Sequence, residues 1–430
     1  MNYQDKSNLL APRAAGALDP DFGFTGSVPL AVFPEPNLEA NQRFYVVGQG
    51  GLTGERESWI SRYDANGSLD TSFNGGTLNI PSLLVQTGEY AFIVIDAMIF
   101  DSDGSITCLG DAIAISNDYG YYTSSAALRL TSTGELDQTF GSTGNGTAIF
   151  GNREFFEFTD PSNEINPRFA SFRRSQKTGG GTLFLSRIPS ERDRPASLSA
   201  SYLVKITPDG SPDTGFHDNG FLEVEPATVG TNWSDYGVDD KGRLTAIGET
   251  MSGGQLHGVA VRFTPDGALD PTFGSGGRVM INDQGVQHKL LQLDVSDDGR
   301  ITVLVTFPEQ GDTKLALMRL AEDGTADSTF NNGTACVVDS MAGARWANLQ
   351  VDSQGRSYVA KSANGGELRP RLYRVAVNGS TDTDFGSNGS VEYSDIKTLR
   401  LYAIQKGTDL LAAILKSDAP NESFARILGS

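Results

Sequence analysis

Residues 289–338 alternate brief apolar runs with brief polar turns, a pattern that fits strands and not helices. KLLQLDV (289–295) is short and apolar, and SDDG (296–299) after it is a turn signal. RITVLVTF (300–307) is β-branched and reads as a second strand, and PEQGDT (308–313) reads as a loop. KLALMRL (314–320) makes a third strand, and TACVV (334–338), beyond AEDGTADSTFNNG, a fourth. Four short antiparallel strands, if repeated, describe one blade of a β-propeller.

The unit does repeat. GALDPDF (16–22), GSLDTSF (67–73), GELDQTF (134–140), GSPDTGF (210–216), GALDPTF (267–273), GTADSTF (324–330) and GSTDTDF (379–385) all keep Gly, then Asp three residues on, then Phe three residues later. Successive motif Asp residues lie 51, 67, 76, 57, 57 and 55 positions apart. A compact four-stranded blade takes roughly 40–50 residues, so the surplus falls in loops and insertions.

The first motif copy, at Gly16, has no three-strand segment before it. The last is followed by KTLRLYAI (397–404), LLAAILK (410–416) and SFARIL (423–428), with no motif after them. The strand these three lack is the one after the first motif, near 26–30. The expected fold is therefore all-β: a seven-bladed β-propeller of four-stranded antiparallel blades, the last blade closed by the N-terminal strand. Such closure removes exposed sheet edges. The period-two pattern excludes an α-helical solenoid. A parallel β-solenoid is the alternative, and the matched chain ends argue against it. The expected organisation is a tail over 1–15 and a single propeller over 16–430.

TPDGALDPTFGSGGRV (264–279), DANGSLDTSFNGG (64–76), TSTGELDQTFGSTG (131–144) and TPDGSPDTGFHDNG (207–220) resemble the delta-60 repeat, the DUF5122 β-propeller family of bacterial proteins. The resemblance covers nearly the whole chain after residue 15. It implies the fold and names no catalytic residues. Pro212, Ala326 and Thr381 depart from the family's usual Leu, and Asn74, His217 and Asn331 from the Gly after Phe.

Charge narrows the partners. A formal net charge of −19 argues against nucleic acid and against anionic membranes, both of which call for clustered Lys and Arg. No basic-then-apolar leader opens the chain, and the longest apolar run, AFIVIDAMIF (91–100), carries Asp96. A cytoplasmic monomer is the expectation, with leaderless export as the alternative. Cys108 and Cys336 are expected to be buried, reduced and structural.

No nucleophile elbow, HExxH or paired CxxC is present, and no metal or cofactor is expected. Each motif Asp is expected to accept hydrogen bonds from its own turn, with Phe anchoring that turn on the sheet. Asp294-x-Ser296-x-Asp298-Gly299 matches half of an EF-hand loop but has Val305 at the twelfth position, so it reads as a hairpin turn. The Gly48–Gly54 stretch lacks the Lys-Ser/Thr of a phosphate loop and reads as a flexible connection.

Loop lengths divide the two ends of the blades. The stereotyped turns and the motif fall on one end. The other holds the long segments 111–124, 151–167 and 187–200, and variable loops on a rigid scaffold are where function resides. Aligning the first strands places Asn232, Lys289 and Arg345 at one level, with His288, Trp233 and Trp346 adjacent and Arg168 and Arg400 in looser alignment. The candidate ligand-binding residues are thus Arg168, Trp233, His288, Lys289, Arg345, Trp346 and Arg400, expected around the mouth of the central channel. They suit a non-catalytic scaffold that binds a protein, peptide, glycan or anionic small molecule. The alternatives are an enzyme, a lyase or hydrolase, with its site at that mouth, and a structural or toxin-associated module.

Overall fold

The computed structural model describes residues 14–15, 17–22, 28–29, 36–38, 42–50, 57–80, 83–84, 90–101, 103–116, 120–141, 146–157, 175–178, 181–188, 200–223, 233–252, 255–283, 286–363, 369–405, 407–418 and 423–429. By contact the chain divides into one unit of residues 30–342 and another of 1–29 with 343–430. The first strand, β1 (Val28–Pro29), belongs to the second of these.

The unit of residues 30–342 is a series of antiparallel meanders. The first is β2 (Pro36–Leu38), β3 (Phe44–Gly50), β4 (Glu57–Tyr63) and β5 (Thr77–Asn79). Next come β6 (Leu83–Leu84), β7 (Tyr90–Phe100), β8 (Ile106–Ser116), β9 (Gly120–Leu130) and β10 (Thr147–Glu157). β11 (Ser175–Thr178), β12 (Gly181–Ile188), β13 (Ala200–Ile206) and β14 (Phe221–Glu223) form the third. β15 (Trp233–Val238), β16 (Leu244–Ser252), β17 (Gln255–Phe263), β18 (Arg278–Asp283) and β19 (Val286–Gln287) form the fourth. β20 (Lys289–Val295), β21 (Ile301–Glu309), β22 (Asp312–Leu320) and β23 (Cys336–Ser340) form the fifth. In the other unit, β24 (Ala344–Val351), β25 (Ser357–Ala363), β26 (Arg371–Val375) and β27 (Ser390–Glu392) repeat the pattern.

The protein is thus an all-β propeller of antiparallel, essentially four-stranded blades. Among the described residues, six sheets are built from consecutive strands. One composite sheet joins distant parts of the sequence: β28 (Ile396–Gln405), β29 (Asp409–Lys416) and β30 (Ser423–Ile427) are completed by β1, with Val28 opposite Phe424 and Pro29 opposite Ser423.

Apolar side chains pack between successive sheets. Phe273, Ile247 and Ala260 of one blade meet Leu290, Ile301 and Val303 of the next, all buried. Tyr358, Leu372 and Phe385 meet Leu399, Leu410 and Ile427 in the same way. This explains how a middle strand can be buried on both faces, as in β21, where Ile301–Phe307 is continuously buried.

Several sequence expectations need correction. Segment 111–124 is mainly sheet, because β8 runs to Ser116 and β9 starts at Gly120, paired along their full lengths. Residues 151–157 continue β10 past a register shift between Phe150 and Glu154. The PEQGDT segment is mostly a tight hairpin, Glu309 pairing with Asp312. Gly48, Gln49 and Gly50 are strand residues paired with β4, so that part of the glycine-rich stretch is no flexible connection; residues 51–56 lie outside the described set. Cys108 is buried as expected, while Cys336 is only half-buried; both are free thiols, and burial raises the pKa of each. Among the described residues no helix is long and apolar enough to cross a membrane.

Candidate functional site

The recurring motif builds a joint, and its most important member was missed in the sequence. A basic residue stands eight positions before the motif Asp in Arg62/Asp70, Arg129/Asp137, Lys205/Asp213, Arg262/Asp270, Arg319/Asp327 and Arg374/Asp382. The cation closes on Asp at 2.8 Å in Arg62–Asp70 and Arg262–Asp270, 2.7 Å in Arg374–Asp382, 3.0 Å in Lys205–Asp213 and 3.5 Å in Arg129–Asp137. It also lies over the motif Phe, at 4.5 Å for Arg262–Phe273 and 4.3 Å for Arg319–Phe330. In the composite sheet Arg426 takes this part with Asp19 (Nε to Oδ2, 2.8 Å) and Phe22, from the opposite end of the chain.

The Asp does what its turn requires as well. Asp270 Oδ1 accepts from the Thr272 N–H at 2.9 Å and the Thr272 hydroxyl at 2.6 Å, while Oδ2 accepts from Arg262. Burial alone would raise the pKa of the Asp270 carboxyl. The Thr272 hydrogen bonds and the Arg262 charge outweigh it and hold the pKa below the usual carboxylate range. Arg262 is itself lowered, first by burial and then by the Arg243 charge. The two shifts point opposite ways on the worth of the pair. A guanidinium stays charged regardless, so the carboxylate carries the pH dependence.

The joint reaches into the next blade. Arg62 donates to the Ser132 carbonyl at 2.8 Å, Arg129 to Pro208 O at 2.7 Å, and Arg262 to Glu322 O. The residue after the motif Phe donates its N–H the same way in four copies: Asn74 to Thr133 O, Gly141 to Asp209 O, His217 to Asp266 O and Gly274 to Asp323 O, at 2.8–3.0 Å. The Phe then sits where the next motif Gly leaves room. A Cβ on Gly210 would fall 2.7 Å from Phe140 Cζ, and one on Gly324 2.9 Å from Phe273 Cε2. Gly, Asp and Phe are therefore structural parts. Among the described residues, no cluster of three or more His, Cys, Asp or Glu is arranged to hold a metal. The EF-hand-like stretch is a hairpin turn: Asp298 accepts from the Ser296 hydroxyl at 2.6 Å, and its bond from Arg300 is the main cause of a pKa of about 2.

The first strands carry the candidate ligand residues. β15 and β20 lie side by side in one unit, with the Leu293 N–H donating to buried Asp235 Oδ2 at 2.9 Å. In the other unit the Asn348 amide bonds both the N–H and the C=O of Leu401, joining β24 to β28. First strands also share a β-bulge, between Trp233 and Asp235, Leu290 and Gln292, Ala344 and Trp346, and Ile396 and Thr398. Bulges re-aim side chains and recur beside functional sites.

Trp233 starts β15 but is buried among Leu203, Phe216 and Tyr236, so it is a core residue. His288 is 3% exposed, with its ring 4.9 Å from that of Phe307. Lys289, immediately after it, is exposed. Trp346 is half-buried, and its indole N–H reaches Leu399 O at 3.4 Å. Arg400, next in sequence to Leu399, is exposed and lies 5.4 Å from the Tyr402 ring centre. Arg345 is in β24, its side chain outside the described set, and Arg168 and Asn232 lie outside the described residues. Trp346 thus reaches the main chain of β28 next to Arg400 in one unit, while in the other His288 and Lys289 are neighbours in sequence, the first buried and the second exposed.

Four segments, residues 45–73, 196–216, 242–273 and 297–330, match the family model described as a domain of unknown function (DUF5122) beta-propeller. None of the curated proteins matches the sequence. Among solved structures, the chain is similar to a protein of unknown function from Dyadobacter fermentans DSM 18053 (TM-score 0.40, 9% identity, 96% of each chain covered). It is also similar to the polysaccharide lyase Uly1 (0.43, 11%, 92% of this chain and 89% of that one). Drosophila Semaphorin 2a is a third (0.44, 8%, 97% and 76%). At such scores these likenesses carry no functional argument.

Proposed function

As the chain belongs to the DUF5122 β-propeller family, we propose that it is a non-catalytic binding scaffold that engages its ligand through the first strands of one of its two units. The observation that carries this reading is how the described carboxylates are used. Asp70, Asp137, Asp213, Asp270, Asp298 and Asp323 all have their pKa held down, by hydrogen bonds from turn hydroxyls and N–H groups or by a nearby cation. Such groups are tied into joints and turns, whereas a general acid at neutral pH needs a raised pKa. Exposed Lys289 and Arg400 supply cationic contacts on an otherwise acidic chain.

The ligand this suits is an anionic small molecule or an acidic group on a protein, peptide or glycan. A cytoplasmic setting belongs to the same proposal, as does counting the composite sheet as a seventh blade. The test is a thermal-shift screen of anionic oligosaccharides and acidic peptides at low and high salt. A ligand that raises the melting temperature of the parent should raise it less in whichever of Lys289→Ala and Arg400→Ala alters the unit that binds it, and less in high salt. Equal shifts in parent and both variants would overturn the assignment of these residues.

A further inference from the structure

The blade turns are rich in Asn–Gly, the dipeptide whose side-chain amide is most open to attack by the following backbone nitrogen. Six such pairs lie among the described residues: 66–67, 74–75, 219–220, 332–333, 378–379 and 388–389. The attacking nitrogen must first lose its proton, so an N–H already held by a carbonyl is protected. In four pairs it is held. Gly67 donates to Asp64 O at 3.0 Å, Gly220 to Phe216 O at 2.8 Å, Gly333 to Phe330 O at 2.9 Å and Gly379 to Ala376 O at 2.9 Å. Asn378 is further fixed, because its Oδ1 accepts from Ser380 N and Oγ.

The last pair differs. Asn388 is exposed, at φ 51°. Among the described residues nothing accepts from the Gly389 N–H, and the Asn388 side chain has no partner. Asn74–Gly75 is intermediate: the Gly75 N–H has no acceptor there either, but Asn74 Nδ2 donates to Thr77 O at 3.4 Å.

We propose that Asn388–Gly389 is a site of self-modification by succinimide formation, with water as co-reactant. Solvent base takes the Gly389 amide proton. The nitrogen forms a bond to Asn388 Cγ, the Cγ–Nδ2 bond breaks, and ammonia leaves with the proton. Water then adds to either ring carbonyl, giving an aspartyl or an isoaspartyl residue. No redox partner is involved. The isoaspartyl form lengthens the main chain by one carbon where it is tightly held. Gly389 is buried, and its carbonyl accepts at 2.9 Å from the N–H of Arg374, the cation of that blade's joint. Modification here therefore loosens the joint that Arg374 makes with Asp382.

The test is a time course on the full-length native protein at mildly alkaline pH, read by peptide mass mapping, with fragment spectra that separate Asn378 from Asn388. Asn388 should convert several-fold faster than Asn66, Asn219, Asn332 and Asn378, with Asn74 between. In urea, where all six become equivalent chain segments, the ranking should collapse. Native conversion at Asn388 no faster than at the four held sites would overturn the proposal, as would a ranking unchanged in urea. As a second readout, the melting temperature of the parent should fall during incubation while that of Asn388→Gln falls less. Equal decline would overturn the link to the Arg374 joint.

Discussion

At the residue scale the joint motif was half legible. Gly, Asp and Phe announce themselves by fixed spacing within one phrase. Their cationic partner escaped notice because it sits eight residues upstream at the end of a strand, where Arg62, Lys205 and Arg262 look like ordinary polar punctuation. The omission changes an energetic expectation. A turn-capping Asp alone would cost about 0.5–2 kcal/mol to remove. Asp270 instead faces Arg262, which is 2% exposed, so Asp270→Ala strands a buried guanidinium and should cost about 3–5 kcal/mol, close to a broken buried pair. Phe273→Ala should cost a similar ~3–5 kcal/mol through its cavity. Urea denaturation measures both, and a loss for Asp270→Ala no larger than for an exposed turn Asp would refute the joint. The pH sign follows. A carboxylate whose pKa is depressed on folding stabilises the fold above its unfolded pKa, near 3.9, and that contribution disappears as pH falls through the folded value. Asp70, Asp137, Asp213, Asp270 and Asp298 are all depressed, so stability should hold above about pH 5 and fall steadily below about pH 4. Acid titration of Asp270→Asn should show a shallower fall than the parent.

At the element scale the strands themselves were readable, since β-branched runs bounded by Gly and Asp mark both ends. KLLQLDV matches β20 residue for residue, and the three C-terminal strands fall within a residue or so of β28, β29 and β30. Segment 111–124 was misread because Asn117, Asp118 and Gly120 look like loop material, although the strands on either side simply extend to meet there. Of the candidate ligand residues, Trp233 was misplaced for a related reason: a bulge two residues in turns the strand, and period-two counting does not survive a bulge. The ties between first strands were not legible at all, because Asn348 and Leu401 are 53 residues apart. Asn348→Ala removes both bonds to Leu401 and should cost about 1–3 kcal/mol. Hydrogen exchange at the Leu401 amide, which Asn348 Oδ1 accepts at 3.2 Å, should accelerate in this variant and not in a surface control. Unchanged protection would show that the tie contributes nothing to holding β28.

At the scale of the whole molecule, the sequence pointed to closure because motif and strands are out of step at the ends, and the composite sheet shows that pairing directly. It is short: β1 contributes two residues opposite β30. The N-terminal segment brings more than those two residues. Leu18 bridges Ile427, the Asp19 N–H donates to Arg426 O at 2.8 Å, and the Asp19 carboxylate, 3% exposed, meets the buried Arg426 guanidinium, which also lies 5.3 Å from the Phe22 ring centre. Deleting residues 1–30 would therefore remove more than a strand edge. It would leave Arg426 buried without its carboxylate and open a cavity where Phe22 was, each a change of about 3–5 kcal/mol. Against a typical total stability of about 5–15 kcal/mol, that is enough to abolish a cooperative melt or to drive aggregation through the exposed edge of β30. The two contributions separate experimentally. Asp19→Ala in the full chain keeps β1 and Phe22 and removes the ion pair together with the bond from Asp21 N–H to Asp19 Oδ1, so it should lower the melting temperature without loss of solubility. The truncated chain should lose both. A truncated protein that stays soluble and melts at the parent temperature would show that the composite sheet stands without its N-terminal strand.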